Sequence, residues 1–133
     1  MTGGTIVCDV TDPLAGRSAA EFAAALGARL GLRLVLVYVG PEAERTLEQV
    51  TSGFERDAET RVVVGDHAEA LARVAAEEGA DLIVVGGRPA GLGGRKLRWT
   101  LARELEAATP VPVLVAPPST RKRSDRRLSA NSR

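Results

Sequence analysis

The chain has 133 residues, 44% of them hydrophobic but only 3% aromatic, with one cysteine and a formal net charge of +1. This length fits one domain with a core of Val, Leu, Ile and Ala, and the composition excludes disorder throughout and any internal disulfide. No apolar run approaches the about 18 residues of a membrane span, the start lacks the basic opening of a signal peptide, and with Cys8 alone these features lead to an expected cytoplasmic location.

Charge is unevenly placed. From Pro117 onward six basic residues face one acid, Asp125, giving +5, which leaves −4 on the body. A mildly acidic body with a basic tail does not match a specific nucleic-acid-binding domain. The segment 117–133 is rich in Pro, Ser and Arg and reads as a disordered basic tail behind a domain at 1–116. Within it Arg126-Arg127-Leu128-Ser129 has the form of a basophilic kinase target, against a default role in solubility.

Five apolar runs read as strands. In chain order they are Thr5–Val10, Leu32–Val39, Arg61–Gly65, Asp81–Gly86 and Val111–Ala116. Leu34-Val35-Leu36-Val37 and Leu82-Ile83-Val84-Val85 do not alternate with polar residues, as expected of parallel strands covered on both faces. Helical spacing fills the gaps. Phe22, Leu26 and Leu30 mark a first helix; Ala43, Leu47, Val50 and Phe54 mark a second, with Pro41 in its first turn. Leu71 with Val74 or Ala75 marks a third, capped by Asp66 and stopped by Gly79. Leu97, Leu101, Leu105 and Ala108 mark a fourth, ending before Pro110. Strict alternation of strand and helix predicts an open α/β sheet with helices on both faces.

Ligands of such sheets bind beyond the C-terminal strand ends, where the strand order reverses. If the first and fourth strands are neighbours, Asp9 and the loop from Gly86 line that crevice. Asp9 to Gly16 reads D-V-T-D-P-L-A-G, with neither a dinucleotide fingerprint nor a P-loop lysine. Cys8 lies inside an apolar strand and reads as a packing residue. His67, the single histidine, follows a strand two places from that of Cys8, so a Cys–His pair is not expected, and one His and one Cys make no metal site.

The segment Ala80-Asp81-Leu82-Ile83-Val84-Val85-Gly86-Gly87-Arg88 resembles a stretch of universal stress proteins, Val111-Pro112-Val113-Leu114-Val115 resembles their closing strand, and Ile6-Val7-Cys8-Asp9-Val10-Thr11 resembles their opening one. The order and spacing of these blocks extend the resemblance from Thr5 to Ala116. It implies a five-stranded parallel sheet in the order 3-2-1-4-5, of the adenine nucleotide alpha hydrolase-like type, and a homodimer. Val111–Ala116 would form that dimer's edge, with Val111, Val113 and Val115 on one face.

Many members of that family bind ATP through Gly, two residues, Gly, nine residues, then Gly followed by Ser or Thr. Here Gly86 and Thr100 fit, but Pro89 and Trp99 stand where the second and third glycines belong. Proline offers no N–H to a phosphate, and tryptophan fills space the glycine leaves open. On a helix Trp99 lies about 200° from Leu101, off the buried stripe. Arg88, Arg95, Lys96 and Arg98 still make the loop basic. The resemblance further implies a ligand contact for Asp9 and a backbone contact to adenine at Val39, making Asp9, Val39, Gly86, Gly87, Arg88 and Thr100 the candidate binding residues. Each has a plainer alternative: a carboxylate capping loop amides for Asp9, a surface connection for the loop.

Two function classes remain from the sequence. One is a dimeric stress-response or regulatory module with a degraded ATP motif, no resident cofactor and an unidentified regulatory partner. The other is a sensor holding ATP or AMP through an altered loop. An enzyme such as a nucleotidyl transferase lacks support, because the sequence carries no acid–base cluster.

Overall fold

The structure, a computed structural model, describes residues 4–41, 43–51, 58–87 and 94–117, with the backbone alone at residues 13, 43, 44, 46, 49 and 94–100. The elements run β1 (Thr5–Asp9), α1 (Pro13–Leu30), β2 (Arg33–Val39), α2 (Ala43–Thr51), β3 (Glu59–Val63), α3 (His67–Glu78), β4 (Leu82–Gly86), α4 (Gly94–Ala108) and β5 (Val113–Ala116). All four strand pairings are parallel and the sheet order is β3-β2-β1-β4-β5, as expected. The topological reversal therefore falls between β1 and β4.

Alternation along each strand divides the core. Ile6, Cys8, Val10, Leu34, Leu36 and Val84 pack against Ala19, Ala20 and Ala23 of α1 and Val50 of α2. Val7, Val35, Val37, Ile83 and Val85 pack against Leu71, Val74 and Ala75 of α3 and Leu105 of α4. Each fully buried Val or Leu contributes about 1.5–3 kcal/mol, so these two layers carry the fold.

The helix boundaries follow local chemistry. Asp12 caps α1 by accepting from Leu14 and Ala15 N–H. Asp66 caps α3 through Glu69 N–H, and Gly79 closes it at φ +65°, a left-handed conformation that glycine adopts without strain.

Several expectations shift. β3 begins at Glu59, two residues before the apolar run, and ends before Val64, which is 67% exposed. An edge strand keeps one side in water, so hydrophobicity does not mark its limits. The backbone pairing of β2 with β3 runs from Val35 opposite Glu59 to Val39 opposite Val63, and Arg33 on β2 pairs with Glu59 at 2.7 Å. Leu30 is 61% exposed, because α1 buries its alanines rather than the wider Phe22–Leu26–Leu30 stripe; Phe22 and Leu26 only border the core. Pro41 precedes α2 instead of opening it, and Phe54 lies outside the described residues. Ala108 is exposed at the end of α4. Val111, Val113 and Val115 do share a face, but that face packs on the α3–α4 layer of the same chain.

At the end of the sheet away from the crevice, Arg33 also reaches Glu78 at 2.8 Å, and Arg61 reaches Glu77 at 2.8 Å and Glu78 at 3.1 Å. A hydrogen bond from Arg33 holds the Glu78 carboxyl below its ordinary value; desolvation opposes this, and a hydrogen bond from Arg61 adds to the lowering. The C-terminus of α3 is thereby tied to β2 and β3.

Candidate functional site

The C-terminal end of β1 carries a buried carboxylate, Asp9. Asp9 follows Val7 on the α3–α4 face, so its side chain leaves the sheet toward α3. Its side chain is only 8% exposed. Burying a carboxylate is costly unless donors surround it, and three do so here. Oδ1 accepts from Thr11 N–H at 3.1 Å and from the Thr11 hydroxyl at 2.6 Å. Oδ2 meets Nε2 of His67 at 3.0 Å.

Thr11 extends this cluster to the next strand. Its oxygen accepts the Val39 N–H at 3.0 Å while its proton goes to Asp9. A continuous chain of hydrogen bonds thus runs from the end of β2, through Thr11, to the end of β1 and on to the start of α3. The Thr11 hydroxyl points its proton at the carboxylate and not at the imidazole. That order positions groups; it does not activate the hydroxyl as a nucleophile.

His67 opens α3, directly after its cap. Its side chain is 39% exposed. The hydrogen bond to Asp9 raises the imidazole above its ordinary value, partial burial opposes this, and the charges of Asp9, Asp66 and Glu104 add to the rise. The position of His67 just after β3 carries no signal for this contact. The residues between β3 and α3 carry the chain past β2, so that α3 begins beside Asp9 at the end of β1. Cys8 points to the opposite face, and burial, followed by the Asp9 charge, pushes its thiol well up.

Gly86 ends β4 beside Asp9 but faces the other way. A Cβ built on it would stand 2.2 Å from the Ala15 carbonyl oxygen and 2.6 Å from its carbon. The α1 backbone therefore lies directly against β4, and packing alone demands a glycine there. Gly87 is buried. Of the six candidate residues, Asp9, Val39, Gly86 and Gly87 gather at the C-terminal ends of β1, β2 and β4. The Val39 N–H is committed to Thr11. Arg88 and Pro89 lie outside the described residues, as do the side chains of Trp99 and Thr100 at the start of α4. Among the described residues no group of acids, histidine and cysteine could hold a metal ion, and no helix is long and apolar enough to cross a membrane.

The family model of the universal stress proteins matches residues 40–117, more than half of the chain. The chain belongs to the universal stress protein family. Solved structures agree at the level of the fold. A universal stress protein from Archaeoglobus fulgidus in complex with dAMP is 21% identical, with 87% of this chain and 99% of that one covered and a TM-score of 0.68. A universal stress protein in complex with cAMP is 24% identical, covering 88% and 99%, with a TM-score of 0.66. A family protein from Burkholderia pseudomallei is 26% identical, covering 85% and 96%, with a TM-score of 0.63. No curated protein sequence matches the chain.

Proposed function

We propose that this chain is a dimeric stress-response module whose crevice binds ATP weakly, with a dissociation constant on the order of 0.1 mM or higher, and accepts adenosine monophosphates more readily than ATP. The observation that carries this is the state of the crevice's two ends. The acidic contact, Asp9, is already bonded to Thr11 and His67, and the phosphate pattern beginning at Gly86 has Pro89 and Trp99 in place of two glycines. Losing one backbone donor at Pro89 costs about 1–3 kcal/mol if a phosphate oxygen is left unpaired. A triphosphate depends on that loop most. The relatives in complex with dAMP and cAMP hold nucleotides with a single phosphate, which favours a monophosphate sensor as the second reading.

The chain acts as a binding module rather than an enzyme, in the cytoplasm. It pairs with a second copy along the outer edge of β5, where Leu114 is 36% exposed on the face opposite the packed valines. Trp99 is the chain's only tryptophan. Its fluorescence, followed during titration with ATP and AMP and corrected for nucleotide absorbance, is expected to saturate only near millimolar ATP and at lower AMP. Saturation by ATP in the low-micromolar range would refute the weakened triphosphate site.

A further inference from the structure

Thr11 occupies one oxygen of Asp9 twice, through its N–H and its hydroxyl. The chain's only histidine sits on the other oxygen. The carboxylate is 8% exposed with the imidazole over Oδ2, so a ligand that donates a hydrogen bond to it, through an exocyclic amine or a ribose hydroxyl, competes with that ring for the little access left. We propose that His67 is a specificity-determining competitor for Asp9: a nucleoside donor gains the carboxylate only by displacing the imidazole, so the crevice admits such ligands more readily when His67 is uncharged. This rests on the nucleotide reading above and adds to it the control of that site.

The surroundings of the imidazole support a proton-linked contest. Asp9 faces it from β1, Asp66 from the cap of its own helix and Glu104 from α4, and all three are acids. They favour the protonated ring. A charged imidazole makes the stronger, charge-assisted bond to Asp9, and a neutral ring the weaker one. The direction follows. Displacing an imidazolium from its counter-ion favours loss of its proton, so ligand binding releases protons and affinity rises with pH through the imidazole titration. A ligand phosphate attracted to the imidazolium would give the opposite slope. His67 is also placed to yield, since its side chain is 39% exposed while that of Asp9 is 8% exposed. The carboxylate is fixed by Thr11 and the ring stands at the rim.

Adenosine and AMP are the probes, titrated calorimetrically into the full chain at about pH 5.5 and about pH 8.5, on either side of the ordinary imidazole range. The proteins are the wild type, His67→Ala and His67→Gln. Wild type is expected to bind both ligands several-fold more tightly at the higher pH, with proton release. His67→Ala should lose the pH dependence and bind at both values at least as tightly as wild type does at high pH. His67→Gln, which keeps a donor but cannot titrate, should be flat with pH and weaker than His67→Ala. The single imidazole gives one NMR titration curve, and bound adenosine should move it downward. Equal wild-type affinity at both pH values with an unmoved imidazole curve would overturn the competitor role while leaving the nucleotide site intact. So would AMP binding that tightens at low pH and loses this in His67→Ala. If no protein binds either ligand at either pH, while Asp9→Asn still lowers the imidazole titration, the nucleotide reading itself is refuted and the competitor role falls with it.

Discussion

Replacing Gly86 by alanine tests whether this glycine is held by packing, independently of any phosphate. The new Cβ would meet the Ala15 carbonyl oxygen at 2.2 Å, its carbon at 2.6 Å and the Ala15 Cβ at 2.8 Å. Two of those three atoms are backbone, so no side chain can swing aside; α1 or the end of β4 must move. Overpacking of this kind costs about 1–3 kcal/mol and more where the obstacle is rigid. For a domain of this size about 1 kcal/mol corresponds to roughly 3–5 °C, so the variant should melt roughly 3–15 °C below wild type. Gly79→Ala separates sterics from backbone strain. Nothing lies within 4 Å of its Cβ, but φ is +65°, so it should lose only about 1–2 kcal/mol. Thermal unfolding of the three proteins by circular dichroism gives the ranking. A Gly86→Ala protein that melts within a degree or two of wild type, or above Gly79→Ala, would refute the close approach of α1 to β4.

Two further outcomes follow from the crevice. Thr11→Val removes a hydroxyl that both donates to Asp9 and accepts from Val39; it should cost about 1–3 kcal/mol in urea unfolding, with Thr11→Ser recovering most of it, because valine takes the partner of the Val39 N–H and one of the three donors on Asp9. Because Asp9 raises the His67 titration, this group adds stability that is fully present below its unfolded value near about 6.5 and is lost as pH rises through the folded value. Asp9→Asn should therefore narrow the gap in urea midpoint between about pH 5.5 and about pH 8.5, and an unchanged gap would show that the pair does not contribute to stability.

Much of the fold was legible because β1, β2 and β4 are apolar on both faces and the α3 caps are chemically explicit in Asp66 and Gly79. β3 was displaced by two residues because its start lies in backbone pairing of Glu59 opposite Val35 and an ion pair, Arg33 with Glu59, that hydrophobicity does not register. The α1 face was misjudged at Leu30 because the helix approaches the sheet on alanines, and large residues near a helix end need not point inward. For the site, Asp9, Val39, Gly86 and Gly87 were placed by topology alone. Thr11 and His67 were passed over as participants. The His67 contact with Asp9 depends on where α3 begins over the sheet, which the strand before it does not determine, whereas the Thr11 contact is a local turn two residues after Asp9.

The two ends of α3 are held by different chemistry. At the far end Glu77 and Glu78 are held by Arg33 and Arg61, guanidiniums that stay charged at any pH a cell experiences. At the crevice end the tie is one imidazole on one carboxylate, and an imidazole changes charge within the physiological range. The helix thus has one end permanently moored and one end held conditionally. Acidification acts on only the second of these, and added salt weakens chiefly the first, where the charges stand in water. A single helix is therefore addressable by two independent solution variables, one at each end.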